Sequence, residues 1–146
     1  LSWSSLFPVA PERLVEVVWR HECTCANNWM RKLRAEGFVV RDFELDDLTP
    51  TRRNWQVPDS IDGCHPARYM GYFLDGHLTA KALHRLASER PQASGIQMKD
   101  AVKPDPSTGH PQVISSQLLL IDGTGAATPW PEQLETPPRP ELTPSK

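Results

Sequence analysis

Chemistry in this chain is concentrated in two short stretches, His21-Glu22-Cys23-Thr24-Cys25-Ala26-Asn27-Asn28-Trp29 and Gly63-Cys64-His65-Pro66. They hold all three cysteines and two of the five histidines, His21 and His65. A Cys-x-Cys pair where a strand gives way to a helix sits near unpaired backbone N–H groups and the positive end of the helix dipole, both of which favour negative charge. Thiolates so placed bind soft metals or exchange disulfides. A single buried cysteine is more often a small hydrophobe, but Glu22, Asn27 and Asn28 leave this loop too polar to need two small core residues. A disulfide within Cys23-Thr24-Cys25 closes a ring too short for relaxed geometry. Cys64 can pair with either of the other two, leaving an odd thiol.

The elements that must position these residues follow from periodicity. Leu14–Trp19 is a β-branched, nearly continuous apolar run, as in a strand buried on both faces. From Ala26 to Glu36, Ala26, Trp29, Met30 and Leu33 share one helical face while Arg31, Lys32 and Arg34 face water, and Gly37 suits the position just past a helix end. Phe38–Leu45 reads as a second strand. Strand, helix and strand within about thirty residues make a right-handed, parallel βαβ unit. Thr49-Pro50 reads as an N-cap with proline at N1, opening a short helix through Trp55. Ala67–Leu74 is predicted as a strand, with Asp75-Gly76 as a hairpin turn into His77-Leu78. Thr79 caps a helix over Ala80–Glu89 that buries Leu83, Leu86 and Ala87, and Arg90-Pro91 stops it. A last strand, Gln117–Ile121, pairs with a short return over Ala126–Trp130.

Composition sets the limits. A chain of 146 residues with 38% hydrophobic content can build one domain with a real core. The net charge of −2 gives no basic footprint for nucleic acid and no polybasic membrane patch. No run of about 18 apolar residues offers a membrane span. The chain opens on Leu1 without a charged region followed by an apolar one, as a processed or truncated product or a cytosolic protein would. Ten of the fifteen prolines follow residue 90, so the compact part is expected over residues 11–98 plus the late strand and its return, residues 11–130 in all. Residues 131–146, with five prolines and little apolar surface, are expected to be a disordered tail.

The order βαβ, short helix, β-hairpin and helix, with a cysteine motif after the first strand, predicts a thioredoxin-like α/β fold with an extra C-terminal strand or hairpin. In that architecture a cis-proline often enters the strand facing the cysteine motif, and Pro66 occupies that place. Cys23-Thr24-Cys25-Ala26-Asn27-Asn28-Trp29, Leu33-Arg34-Ala35-Glu36-Gly37-Phe38, Asp46-Asp47-Leu48, Val57-Pro58, Gly63-Cys64-His65, Gly71-Tyr72, Asp75-Gly76-His77 and Glu89-Arg90-Pro91, in this order and spacing, resemble the domain-of-unknown-function 411 family, which includes CopG-like proteins of bacterial copper-resistance clusters. The resemblance covers about residues 14–98, and weakly 117–123. It implies a small periplasmic, thioredoxin-like protein that binds copper, as Cu(I) or another soft metal, through Cys23, Cys25, Cys64 and His65. It also implies other copper-resistance proteins as partners.

The family's Cys-x-Cys-Cys motif is Cys23-Thr24-Cys25-Ala26 here, and its Gly-Met-Pro stretch after Arg-Pro is replaced by Gln97-Met98-Lys99-Asp100. That leaves a mononuclear three-thiolate site, or a chain that has lost its metal. The sequence therefore supports a copper-binding protein without turnover of its own, with no catalytic residue assigned. A thiol oxidoreductase using the Cys-x-Cys pair with Cys64 is the alternative, and an interaction module with vestigial cysteines is the third reading. His77 divides evenly between a hairpin histidine and a ligand, His84 is expected at a helix edge in solvent, and Tyr69 and Met70 in strand packing. Asp42, Glu44, Asp46 and Asp47 lack calcium-loop spacing and read as a solvated surface. A shared site requires Cys64 to lie within about 10 Å of Cys23 or Cys25.

Overall fold

The computed structural model describes residues 8–131. The tail expected at 131–146 lies, beyond its first residue, outside the described residues. One seven-stranded sheet in the order β2-β1-β3-β4-β5-β6-β7 forms the centre. Its strands are β1 (Leu14–Trp19), β2 (Val39–Glu44), β3 (Ala67–Tyr69), β4 (Tyr72–Asp75), β5 (Gly95–Pro104), β6 (Pro111–Ile121) and β7 (Ala127–Pro129). The helices are α1 (Ala26–Ala35), α2 (Thr49–Asn54) and α3 (Ala80–Glu89), preceded by a 3-10 turn at Pro11–Arg13. Strands β1 and β2 run parallel, as the βαβ reading requires, and β4 and β5 are also parallel; every other pairing is antiparallel. This is a thioredoxin-like α/β fold.

Helices α1 and α3 cover one face. Ala26, Trp29, Met30 and Leu33 of α1 and Ala82, Leu83 and Leu86 of α3 join Val15, Val17, Tyr72, Leu74 and Ile96 in the main core. Both helices carry their apolar residues three and four apart, so burying that stripe drives their docking. Strand alternation turns Phe73, Leu119 and Ile121 to the opposite face, where Val57, Ile61 and Trp55 from the stretch after α2 cover them. Both faces of the sheet centre are therefore packed, but β1 is less enclosed than its apolar run suggests. Glu16 emerges to pair with Arg68 at 3.2 Å.

Capping works as read in α3, where the Thr79 hydroxyl accepts a hydrogen bond from the Ala82 amide at 3.1 Å. It differs in α2. Leu48 is the N-cap residue and Thr49 is already helical; the Asp47 carboxylate accepts from the Thr49 amide at 3.0 Å. Those hydrogen bonds hold the Asp47 carboxyl below its usual value.

Three sequence expectations are corrected. The hairpin turn falls at Met70-Gly71 rather than Asp75-Gly76, dividing the predicted strand Ala67–Leu74 into β3 and β4, and His77-Leu78 is not a strand. Met70 and Gly71 take φ of 49° and 87°, the left-handed pair that a tight two-residue hairpin requires; an apolar Met at the turn concealed it, and Met70 packs partly buried against the core from the turn rather than from a strand. Pro66 is joined by a trans peptide, since no described peptide bond is cis. The last strand is far longer than Gln117–Ile121. Strands β5 and β6 pair along ten and eleven residues, and residues 99–117 are exposed apart from a half-buried Asp105, so no buried face marked them in the sequence.

Gly95 holds this long hairpin against the core. It sits beside its β4 partner Phe73, whose ring occupies the space a Cβ would need. Gly95→Ala is expected to destabilise the chain by about 1–3 kcal/mol in urea unfolding, the usual cost of forcing atoms into a packed core. An unchanged midpoint would contradict this packing.

Candidate metal centre

The site is assembled by backbone pairing. Strands β1 and β3 are antiparallel with Glu16 opposite Arg68 and Val17 opposite Ala67. The same register continues beyond the ends of the strands. Val18 donates its amide to the Pro66 carbonyl at 3.0 Å and Arg20 to the Cys64 carbonyl at 3.4 Å. The 64–66 segment thus continues the β1–β3 pairing with a trans Pro66 peptide. The Cys23 amide then turns back to the Arg20 carbonyl at 2.8 Å, bringing Cys23 beside Cys64.

Cys23 and Cys64 form a disulfide, with Cα atoms 5.7 Å apart and 41 residues between them. This resolves the pairing that the sequence left open. Cys25 is the free thiol. It is the N-cap residue of α1, and its sulfur lies 3.7 Å from that of Cys23. One potential ligand atom from each of Cys23, Cys25, Cys64 and His65 falls within 4.8 Å of all the others. The four residues singled out in the sequence are thus brought together, well inside the distance a shared site demands.

His65 is buried at 6% exposure, and its Nδ1 has no hydrogen-bond partner. Its ring stacks against Trp29, with centroids 5.0 Å apart, and against His77, at 4.9 Å, and the Trp29 and His77 rings also meet, at 6.5 Å, so the three form one compact aromatic cluster. Trp29 is fixed in turn by donating its indole N–H to the Leu78 carbonyl at 2.8 Å. Burial, and secondly the neighbouring charge of His77, lower the His65 pKa. Neutral imidazole is the ligand form, and an orphaned buried nitrogen is a cost that a ligand would relieve. The residues present therefore fit a soft metal ion once the disulfide is reduced: three sulfurs and one imidazole nitrogen in a compact group.

The other candidates fall into structural roles. His77 is exposed and contributes its ring face to His65, a role between the two the sequence offered. His84 is exposed, as expected, and stacks on Phe38. Tyr69 is buried and donates its hydroxyl to the Glu12 carbonyl at 2.7 Å. His21 pairs with Glu22 at 3.1 Å in solvent, an interaction worth little. Asp42 accepts from Trp19 Nε1 and pairs with Arg34, so the acidic run is a surface. The aromatic support from Trp29 was legible only as a helix-face residue, because the Leu78 carbonyl it needs lies 49 positions away.

The fold and the cysteine–histidine cluster define a class: thioredoxin-like domains with a candidate metal centre at the end of the first strand. Within it, the chain is similar to two solved structures named as copper resistance protein CopG. The form 1 structure is 25% identical with a TM-score of 0.64, covering 80% of this chain and 93% of that one. The form 2 structure is 27% identical with a TM-score of 0.60, covering 81% and 98%. No family model matches the chain. No curated protein matches it either. The likeness is thus to CopG-like proteins, and the narrower resemblance to the domain-of-unknown-function 411 family rests on the residues quoted above.

Because the His65 pKa is lowered, the unfolded chain takes up a proton near pH 6.5 that the folded chain resists. The stability this contributes is complete above about pH 6.5 and is lost as pH falls through the folded value. The melting temperature of the metal-free, disulfide-bonded chain should drop between pH 7.5 and 5.5, and His65→Phe should flatten that drop. An equal drop in the variant would assign the acid sensitivity elsewhere.

Proposed function

We propose that this chain binds Cu(I), or failing that another soft metal, in copper handling or resistance. The ligands are the thiolates of Cys23, Cys25 and Cys64 with the imidazole of His65, within a binding unit of residues 11–130. The observation that carries this reading is the cluster itself: four soft or borderline donors within 4.8 Å, one of them from a buried histidine whose Nδ1 has no partner. The named function of the two CopG structures supports copper in particular. Soft thiolates select Cu(I), which tolerates low coordination and an apolar surround.

The chain's own residues prepare the site. The ladder between β1 and the 64–66 segment sets the distance between the two cysteine loops, and Trp29 and His77 hold the His65 ring. Cys23 and Ala26 are buried and keep water from one side. Binding requires two-electron reduction of the Cys23–Cys64 disulfide, which restores two of the three thiolates. A disulfide of this kind fits an oxidising compartment, which agrees with a periplasmic setting. No helix among the described residues is long and apolar enough to cross a membrane. Other copper-resistance proteins are the proposed donors or acceptors of the metal, and the chain carries out no turnover.

Competition against a chromophoric Cu(I) chelator after anaerobic reduction tests the proposal. The reduced chain should take up about one Cu(I), as three thiolates and an imidazole allow. Cys23→Ser with Cys25→Ser should weaken binding by roughly 100-fold or more, since losing even outer-shell partners costs about 10–100-fold. The oxidised wild type should compete as poorly as the variant. Equal competition by reduced wild type and variant would refute the metal reading.

A further inference from the structure

A groove of about 650 Å³ runs along α1 beside the cysteine cluster, a size suited to a small ligand. Trp29, Leu33 and Leu78 form its apolar floor, and Lys32 and Lys81 stand at its margins. Of the three sulfurs, only that of Cys25 lines it. Cys23 is buried at 5% exposure behind Cys25. A molecule in the groove therefore meets Cys25 first, and Cys25 in turn lies 3.7 Å from one sulfur of the disulfide.

We propose that this groove is a thiol-exchange site, where a small thiol bearing carboxylates docks between Lys32 and Lys81 and reduces the Cys23–Cys64 disulfide through Cys25. The two ammonium groups match carboxylates, the apolar floor accepts the aliphatic part of the ligand, and the free sulfur marks where its thiol reacts. Glu36 also lines the groove and disfavours a ligand whose charge is concentrated at that end. The occupant is accordingly a compact peptide-like thiol of the glutathione type rather than a long acidic chain.

The exchange balances in three steps. The Cys25 thiolate attacks the Cys23 sulfur, forming a Cys23–Cys25 disulfide and expelling Cys64 as a thiolate, which takes a proton. The docked thiolate then attacks Cys25 from the groove, forming a mixed disulfide and releasing Cys23. A second small thiol attacks the outer sulfur of that mixed disulfide, leaves as the symmetrical small disulfide and returns Cys25 as a thiol. Two small thiols thus lose two electrons and two protons, and Cys23 and Cys64 gain them. The Cys23–Cys25 ring is short and strained, so it is a reactive intermediate rather than a resting state.

The inference goes beyond metal binding and is tested without metal, so its outcome is separate from that of the Cu(I) competition. Oxidised full-length chain is mixed with glutathione, or with 2-mercaptoethanol at an equal thiolate concentration. Free thiols are trapped with a maleimide and counted by mass spectrometry over time. Wild type should react with glutathione faster than with the uncharged thiol. Lys32→Gln with Lys81→Gln should remove roughly 2- to 10-fold of the glutathione rate, as two exposed charge pairs supply, and leave the 2-mercaptoethanol rate unchanged. Cys25→Ser, and wild type alkylated at Cys25 in the folded state, should both be reduced about tenfold or more slowly, because the disulfide, with Cys23 buried and Cys64 half-buried, must then be attacked directly and without the groove. A Cys25-blocked chain reduced at the wild-type rate, or a lysine variant slowed equally with both thiols, would overturn the proposal.

Discussion

The antiparallel register between β1 and the segment entering β3 is the constraint on which the site depends. Two backbone hydrogen bonds past the formal strand ends, Val18 to Pro66 and Arg20 to Cys64, fix where Cys64 lies relative to the loop after β1. Slipping that register by one residue would turn Cys64 to the other side of the sheet. The disulfide is a consequence of this placement, and so is the proximity of His65. Function-bearing residues thus sit on loops whose ends are pinned by a rigid sheet, the usual division between scaffold and site.

Around this frame the aromatic residues set the electrostatic character of the centre. Trp29 is anchored through its indole N–H and presents a ring to His65, and His77 packs against both rings. Burial against these rings disfavours the charged imidazole, and Nδ1 has no partner. A structural histidine in a core would normally spend that nitrogen on a carbonyl. Here it is left without one, on a residue that has a ring nitrogen within 4.8 Å of three sulfurs, which is why the cluster reads as a ligand set more readily than as packing.

The three cysteines are not equivalent. Cys23 and Cys64 are joined, whereas Cys25 is free, half-buried and open to the groove along α1. With Ala26 after Cys25, no fourth sulfur completes the loop. One arrangement can therefore be a metal centre in its reduced form and a closed disulfide in its oxidised form. The redox state of a single bond decides how many thiolates are on offer.

The sequence alone determined the elements whose physics is local. The bounds of β1 and of α3, with its Thr79 cap, follow from apolar periodicity and cap chemistry, and the βαβ order follows from them. It also singled out the two loops that hold the three cysteines, His21 and His65, because soft donors concentrated in polar loops stand out against their surroundings, and the family resemblance narrowed them to Cys23, Cys25, Cys64 and His65. It could not place the turn at Met70-Gly71, where sheet twist imposed left-handed angles on a residue that does not advertise them. Nor could it find β5 and the outer half of β6, whose exposed residues carry no buried face and are held by mutual backbone pairing. Which cysteine Cys64 meets, and that His65 stacks against Trp29 and His77, were decided only in the folded chain. Those contacts span from 12 to 41 positions of sequence. Distances of that kind are set by strand register and helix docking, which local spacing does not encode.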